Sequence, residues 1–286
     1  MEKLAVIGLG LIGGSMALDL KKRLNYKVLG IDNNPKHIQK ALELGIIDKA
    51  ATFEDLTDVD IVIVAVPVDK IAEVSSQVLD VISNNTLVFD VGSVKKNICD
   101  FIDSHPKRKN FVAAHPLAGT EFSGPEAALS NLFDQKVTII CESEKTNWET
   151  LDTAISLFKR LNMRIKMMTP VDHDRHVAYV SHLSHVSSFM LGKTVLEIEK
   201  NEQAIFDMAS TGFASTVRLA KSSANTWTPI FLENKENIVK SLEEYIKNLV
   251  EFKKLIEGDE KNQLNKTMNN TNYIRNILDG IKSNDK

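Results

Sequence analysis

Cysteine is scarce in this 286-residue chain: only Cys99 and Cys141 occur, with no CxxC spacing. That argues against a disulfide scaffold and a cysteine zinc site, and we expect a reducing, cytoplasmic setting. Arginine is also sparse, seven of the 35 basic residues, so each planar bidentate donor is worth placing. No apolar run approaches the roughly 18 residues of a membrane span; Ile61–Val68 is among the longest. The basic residues form no tract and the net charge is −3, so neither nucleic acid nor membrane is an expected partner. The start, MEKLAVIGLG, runs into a buried-strand pattern without a basic n-region or a small-residue cleavage site, and no signal peptide is expected. Internal repeats and low-complexity linkers are absent. What remains is ordinary soluble composition, 43% apolar and 26% charged. The length suits one large or two modest domains and is ample for a core that needs no staple.

The first half alternates strand and helix patterns. Leu4–Leu9 reads as a strand, followed by glycines and a helix to about Leu24. Tyr26–Ile31 is a second strand, and Pro35–Leu44 a helix closed by Gly45. Asp60–Val66, Leu87–Asp90, Phe111–Ala114, Val137–Cys141 and Met163–Met168 are further strands, with a helix over Trp148–Leu161. Such alternation implies crossover units and a mostly parallel sheet. After Pro170 strand signals vanish. Val171 to Lys200 reads as one long helix, and Ile238, Leu242, Ile246, Leu249, Phe252 and Ile256 recur at helical spacing, as core or interface positions do. The expected organisation is an α/β dinucleotide-binding domain over residues 1–169 and an all-α domain over 170–286, with a final helix within Lys261–Lys286.

Gly8-Leu9-Gly10-Leu11-Ile12-Gly13 is the clearest motif. It closes the first strand and opens a helix. Gly8 permits the turn, Gly10 lets backbone approach a pyrophosphate, and Gly13 lets helix and strand pack closely. The helix N-terminus adds free N–H donors, and Ser15 is placed to add a hydroxyl. The pattern alone is weak; its context here is complete, because Asp32 ends the second strand. A carboxylate there accepts from both ribose hydroxyls and repels a 2′-phosphate, which favours NAD over NADP. The other reading is a glycine turn in a fold that binds nothing. Leu11, Ile12, Val66 and Pro67 complete the expected cofactor-binding set with Gly8, Gly10, Gly13 and Asp32.

Ligands collect at the C-terminal ends of parallel strands. Two loops there hold most of the reactive side chains: Asp90-Val91-Gly92-Ser93-Val94-Lys95 and His115-Pro116-Leu117-Ala118-Gly119-Thr120-Glu121. His115 directly follows a hydrophobic strand, where it either accepts a proton near neutral pH or merely caps the strand; position alone does not separate these. The segment after Pro170 carries His173, His176, His182 and His185, in pairs three apart. A metal site needs a further ligand, and Asp172 and Asp174 cluster at a helix start, where acids are favoured anyway. No metal is expected; one or two of these histidines facing the cleft is. Arg218 lies in an apolar helical segment. Such an arginine is commonly a structural salt bridge, though an anionic substrate needs a bidentate cation of this kind.

These residues together resemble the prephenate/arogenate dehydrogenases of tyrosine biosynthesis. The resemblance covers nearly the whole chain. It rests on GLGLIGGS at Gly8–Ser15, DVGSVK at Asp90–Lys95, AHPLAGTEFSG at Ala114–Gly124, VSHLSH at Val180–His185, the TGF…RLA segment at Thr211–Ala220 and FLENKENI at Phe231–Ile238. It implies oxidation of a ring carbinol by hydride transfer to NAD(P)+, with loss of the ring carboxylate as CO2. Prephenate then gives 4-hydroxyphenylpyruvate, and arogenate gives tyrosine. It implies that His115 draws the hydroxyl proton, that Ser93 stands beside that hydroxyl, and that Arg218 meets a substrate carboxylate. His185, Thr120 and Trp227 fall on pocket-lining positions, and Gly212 on one where backbone approaches the substrate. Ser181 and His182 lie near that pocket without an implied role. A helical C-terminal domain that pairs two chains into a homodimer is also implied. The family often has proline where this chain has Ser184, which bears on a helix kink. No appended regulatory or mutase domain is expected. If His115 is the base, turnover falls as pH drops through its pKa, about 6.5 if unperturbed.

The resemblance implies NAD-dependent oxidation of prephenate, with arogenate as the alternative substrate and Glu121 a candidate for telling the side chains apart. β-Hydroxyacid dehydrogenases share the layout but carry a catalytic Lys with Asn four residues on; here Lys193 is followed by Glu197. A non-catalytic NAD sensor on the same fold is the remaining alternative.

Overall fold

The computed structural model describes residues 2–199 and 210–283. The chain divides into two compact units, Met1–Lys235 and Glu236–Lys286. The first contains a single eight-stranded sheet: β1 (Lys3–Ile7), β2 (Lys27–Ile31), β3 (Lys49–Ala50), β4 (Ile61–Val64), β5 (Leu87–Asp90), β6 (Phe111–Pro116), β7 (Val137–Cys141) and β8 (Arg164–Met168), ordered β3-β2-β1-β4-β5-β6-β7-β8. Strands β1 to β6 are mutually parallel; β7 runs antiparallel to β6, and β8 parallel to β7. The winding direction reverses between β1 and β4, which opens a crevice at their C-terminal ends. The two-residue β3 has no sequence expectation behind it: Lys49 and Ala50 offer no apolar run, and they pair only because β2 presents an edge.

Side chains alternate across each strand, and the sheet buries both faces. Leu4 and Val6 join Met16, Leu20, Phe89 and Phe158 on one face. Ala5 and Ile7 join Ile71, Val78, Ile98 and Phe111 on the other. The first layer comes from α1 (Leu11–Leu24) and α5 (Trp148–Arg160), the second from α3 (Val68–Val81) and α4 (Lys96–Ile102); α2 (Pro35–Glu43) follows β2. Local chemistry sets the ends. Asn34 and Asn147 cap α2 and α5 by accepting from Lys36 N and Thr150 N. Asn25, at φ 57°, closes α1.

The expected long helix from Val171 to Lys200 is broken. The chain forms α6 (Pro170–Val177), a π turn over Ala178–His182, and α7 (Leu183–Glu199); Lys200 lies outside the described residues. Next come α8 (Thr211–Thr216), a 3-10 turn at Arg218–Lys221, and α9 (Ala224–Glu233). These helices cluster with the sheet rather than apart from it. α10 (Lys235–Glu257) leads into the second unit, which also holds α11 (Lys261–Thr271) and α12 (Ile274–Ser283). On α10, Ile246, Leu249 and Ile256 are at least half exposed. No helix among the described residues is long and apolar enough to cross a membrane.

One polar contact fixes the site's edge of the sheet. Lys95 and Asp90 are both fully buried and ion-paired. Lys95 Nζ also donates to Ala114 O at 2.8 Å, while Asp90 accepts from Gly92 N at 2.8 Å and Ala114 N at 3.2 Å. Removing one partner leaves a buried charge without compensation. Lys95→Ala should therefore lower the unfolding free energy by about 3–5 kcal/mol, whereas Asp90→Asn combined with Lys95→Met should lose less. Equal losses in urea titrations would show that packing, not charge, holds the two strand ends.

Candidate active site

The turn after β1 has the shape a dinucleotide needs. Gly8 sits at φ 94°, and a Cβ there would lie 2.5 Å from Ala65 O. A Cβ on Gly13 would lie 2.1 Å from Gly8 O. Both glycines thus let α1 start against β1 and β4. Gly10 is different: nothing lies within 4 Å of a Cβ built there. Its missing side chain leaves open space at the head of α1, the approach that a pyrophosphate requires. Leu11 and Ile12 continue into the first turn of α1, and Val66 and Pro67 follow β4 across the crevice. Asp32 stands at the tip of β2. Its Oδ2 accepts from Leu9 N at 2.9 Å and its Oδ1 from Asn34 N at 2.8 Å. His37 Nδ1 approaches within 3.3 Å. The carboxylate is thereby aimed by backbone on both sides. Ser15 departs from expectation. It is fully buried, and its Oγ accepts from Leu129 N at 2.9 Å, so it anchors the 125–129 loop rather than facing the turn.

The neighbouring ends of β5 and β6 carry Ser93 and His115. Register pairs Asp90 with Ala113, so both loops leave the same edge of the sheet. Ser93 and His115 are half-buried. His115 Nδ1 is 2.8 Å from His173 Nε2, and His173 Nδ1 is 2.7 Å from Asp174 Oδ1. Asp174 closes the loop back to β5: Oδ1 accepts from Lys95 N at 2.8 Å and Oδ2 from Lys96 N at 2.9 Å. Burial pushes the His115 pKa well below 6.5, and the neighbouring His173, Lys95 and His182 lower it further. Burial also lowers His173, against the pull of Asp174. His176, by contrast, is exposed.

The π turn aims the next pair of histidines inward. His182 is buried, and its Nδ1 lies 3.2 Å from Asn234 Nδ2. Burial brings its pKa down to about 4, and its Nε2 has no partner among the described residues. His185 donates through Nδ1 to Ser181 O at 3.0 Å and stacks on Trp227 with centroids 3.3 Å apart. Trp227 also meets His182 edge-on at 5.9 Å. Arg218 is half-exposed and donates to Glu121 Oε2 at 3.0 Å. Thr120, next to Glu121, is exposed, and its Oγ1 accepts from Phe122 N at 3.3 Å. Gly212 lies exposed in the first turn of α8, where a Cβ would meet nothing closer than Ser210 Oγ at 3.8 Å. Sequence reasoning named His115, Ser93, His185, Trp227 and Arg218, and gave no role to Asp174, which contacts His173 and the end of the Ser93 loop, or to Asn234, which bridges Asp174 O and His182.

A sheet of this order, with open space at Gly10 and a backbone-aimed carboxylate at Asp32, is the architecture of an NAD-binding domain of the kind that dehydrogenases use. The family follows from comparison with known proteins. The nucleotide-binding domain of prephenate dehydrogenase matches residues 16–167, and its dimerization domain matches residues 169–270. The chain belongs to the prephenate dehydrogenase family. It is 31% identical to the prephenate dehydrogenase of Bacillus subtilis over 92% of this chain and 72% of that protein. A prephenate dehydrogenase from A. aeolicus, solved in complex with hydroxyphenyl propionate and NAD+, superposes with a TM-score of 0.89 at 33% identity, covering 97% of this chain and 98% of that one. The arogenate dehydrogenase of Synechocystis gives a TM-score of 0.78 at 29% identity, covering 96% and 99%.

Proposed function

We propose that this chain oxidises prephenate to 4-hydroxyphenylpyruvate and CO2 in the crevice beside β1, β5 and β6. The observation that carries the reading is His115: a half-buried imidazole held at a strand end, its Nδ1 2.8 Å from His173 Nε2, with Ser93 leaving the adjacent strand. The glycine turn and Asp32 hold NAD+, which supplies the hydride acceptor when bound. His115 takes the proton of the ring hydroxyl, and Ser93 orients that hydroxyl. Arg218 meets a substrate carboxylate, and the stacked His185–Trp227 pair forms a flat wall for the ring. Aromatisation drives the loss of the ring carboxylate, so the side chains need only position the substrate and receive one proton.

Arogenate is the second reading, and Glu121 favours it. Its carboxyl is held below the ordinary range by its own backbone N–H and by Arg218. It is thus an acid placed to meet a side-chain ammonium once Arg218 turns to a carboxylate. Absorbance at 340 nm with NAD+ and each substrate separately discriminates the two; no NADH with either would overturn both.

His115→Asn should cut turnover by about 10²–10⁴-fold with NAD affinity unchanged. Because the pKa of His115 is lowered, the base stays neutral below pH 6.5. The acid limb of kcat/KM therefore lies below that value rather than at it, and its persistence in His115→Asn would assign it to another group. Arg218→Ala should raise KM roughly 10–100-fold, from about 1.5–3 kcal/mol of charge-assisted hydrogen bonding; an unchanged KM would reduce Arg218 to a partner of Glu121. The helical region from Pro170 onward serves as substrate and dimerisation region of a homodimer, supported by the matched dimerization domain and the exposed apolar residues of α10. Ile246→Glu with Leu249→Glu should halve the mass seen by light scattering; an unaltered mass would place the interface elsewhere.

A further inference from the structure

With both histidines neutral, the protons along the His115–His173–Asp174 line have one self-consistent arrangement. Asp174 accepts at both oxygens, from Lys95 N, Lys96 N and His173. A carboxylate that receives two main-chain amides has no proton to give, so the hydrogen between His173 and Asp174 sits on His173 Nδ1. A neutral imidazole carries one N–H. His173 Nε2 is then a lone pair, and the 2.8 Å contact to His115 Nδ1 is a hydrogen bond only if His115 donates. His115 Nε2 is left bare.

We propose that His173 and Asp174 are positioning residues that hold His115 in its Nδ1–H tautomer and so present its Nε2 as the proton acceptor. This rests on the reading of His115 as the base. The pair does more than orient a ring. Through Lys95 N and Lys96 N, Asp174 also fixes the end of the loop that carries Ser93. Through its main-chain oxygen it accepts from Asn234 Nδ2 at 2.7 Å, and the same Asn234 nitrogen lies 3.2 Å from His182 Nδ1. One residue of α6 thus ties the base, the serine loop and the end of α9 into one polar cluster. The neutral state of His173 follows from its burial, which lowers its pKa.

The tautomer can be read directly. Long-range ¹H–¹⁵N correlation on histidine-labelled protein at neutral pH should show His115 protonated at Nδ1 and bare at Nε2, the signal being assigned by its loss in His115→Asn. The opposite tautomer would overturn the proposal. Asp174→Asn also disturbs the start of α4, so kinetics should compare His173→Leu with His173→Gln. Leucine removes the acceptor; glutamine restores one through its Oε1. With prephenate and NAD+, we expect His173→Leu to lower kcat by about 10²-fold or more with KM changed by less than about threefold. We expect His173→Gln to recover at least about tenfold of that loss and to keep the acid limb of kcat/KM. A kcat equal to wild type in His173→Leu, with turnover still abolished by His115→Asn, would discard the positioning role and keep the base. Full turnover in His115→Asn would discard the base itself.

Discussion

Lys95 has no exposed surface, yet its ammonium is ion-paired at the ends of two largely apolar strands. The ion pair with Asp90 is the constraint on which the site depends. A charge in that position costs far more than a hydrophobic side chain would, and it is offset by the Asp90 carboxylate and the Ala114 carbonyl that Lys95 Nζ meets. Asp90 receives Lys95 and two amides, and Lys95 reaches across to Ala114 O, the carbonyl immediately before His115. The peptide that precedes the base is therefore bonded on its oxygen side to a group that cannot move without exposing a buried charge. The same lysine's main-chain N–H is bonded to Asp174. Charge, strand end and histidine line form one polar unit at the rim of a nonpolar sheet.

The cofactor side is built by a contrasting device. There the site consists of what is absent: a Cβ at Gly8 would enter the Ala65–Val66 backbone after β4, one at Gly13 would enter the Gly8 carbonyl, and one at Gly10 would enter open space. The first two omissions concern folding, and the third concerns the ligand. Asp32 alone contributes a charged group, and main-chain amides on either side aim it.

Much of this could be read from sequence, because the relevant signals are local. The glycine turn, the acid at the tip of β2 and the apolar strands each express themselves within a few residues. The short β3 could not be read, since Lys49 and Ala50 pair through a neighbour's edge rather than by their own pattern. Ser15 looked like a phosphate contact because it follows the glycines; its hydroxyl instead meets Leu129, more than a hundred residues away. Asp174 looked like an ordinary acid at a helix start, yet it caps α4 rather than its own α6. Its one legible signal was the adjacent His173, which was weighed as a metal ligand and not as a link to His115. Long-range hydrogen bonds leave no periodicity, and these were the features that sequence could not yield.

The π turn between α6 and α7 has a consequence for the identity of the pocket wall. Each α-helical residue advances the chain by roughly 100° around the axis, and a π turn takes in one residue more before the same direction recurs. Across that turn Val177 and Ala178 are buried, Tyr179 and Val180 exposed, and His182 buried again. A uniform α-helix over the same residues would point Ser181 and Ser184 in the directions that His182 and His185 now hold. Trp227 would then stack on a hydroxyl-bearing side chain instead of an imidazole. The chemistry of that wall is thus decided by the width of one helical turn as much as by the residues the chain supplies.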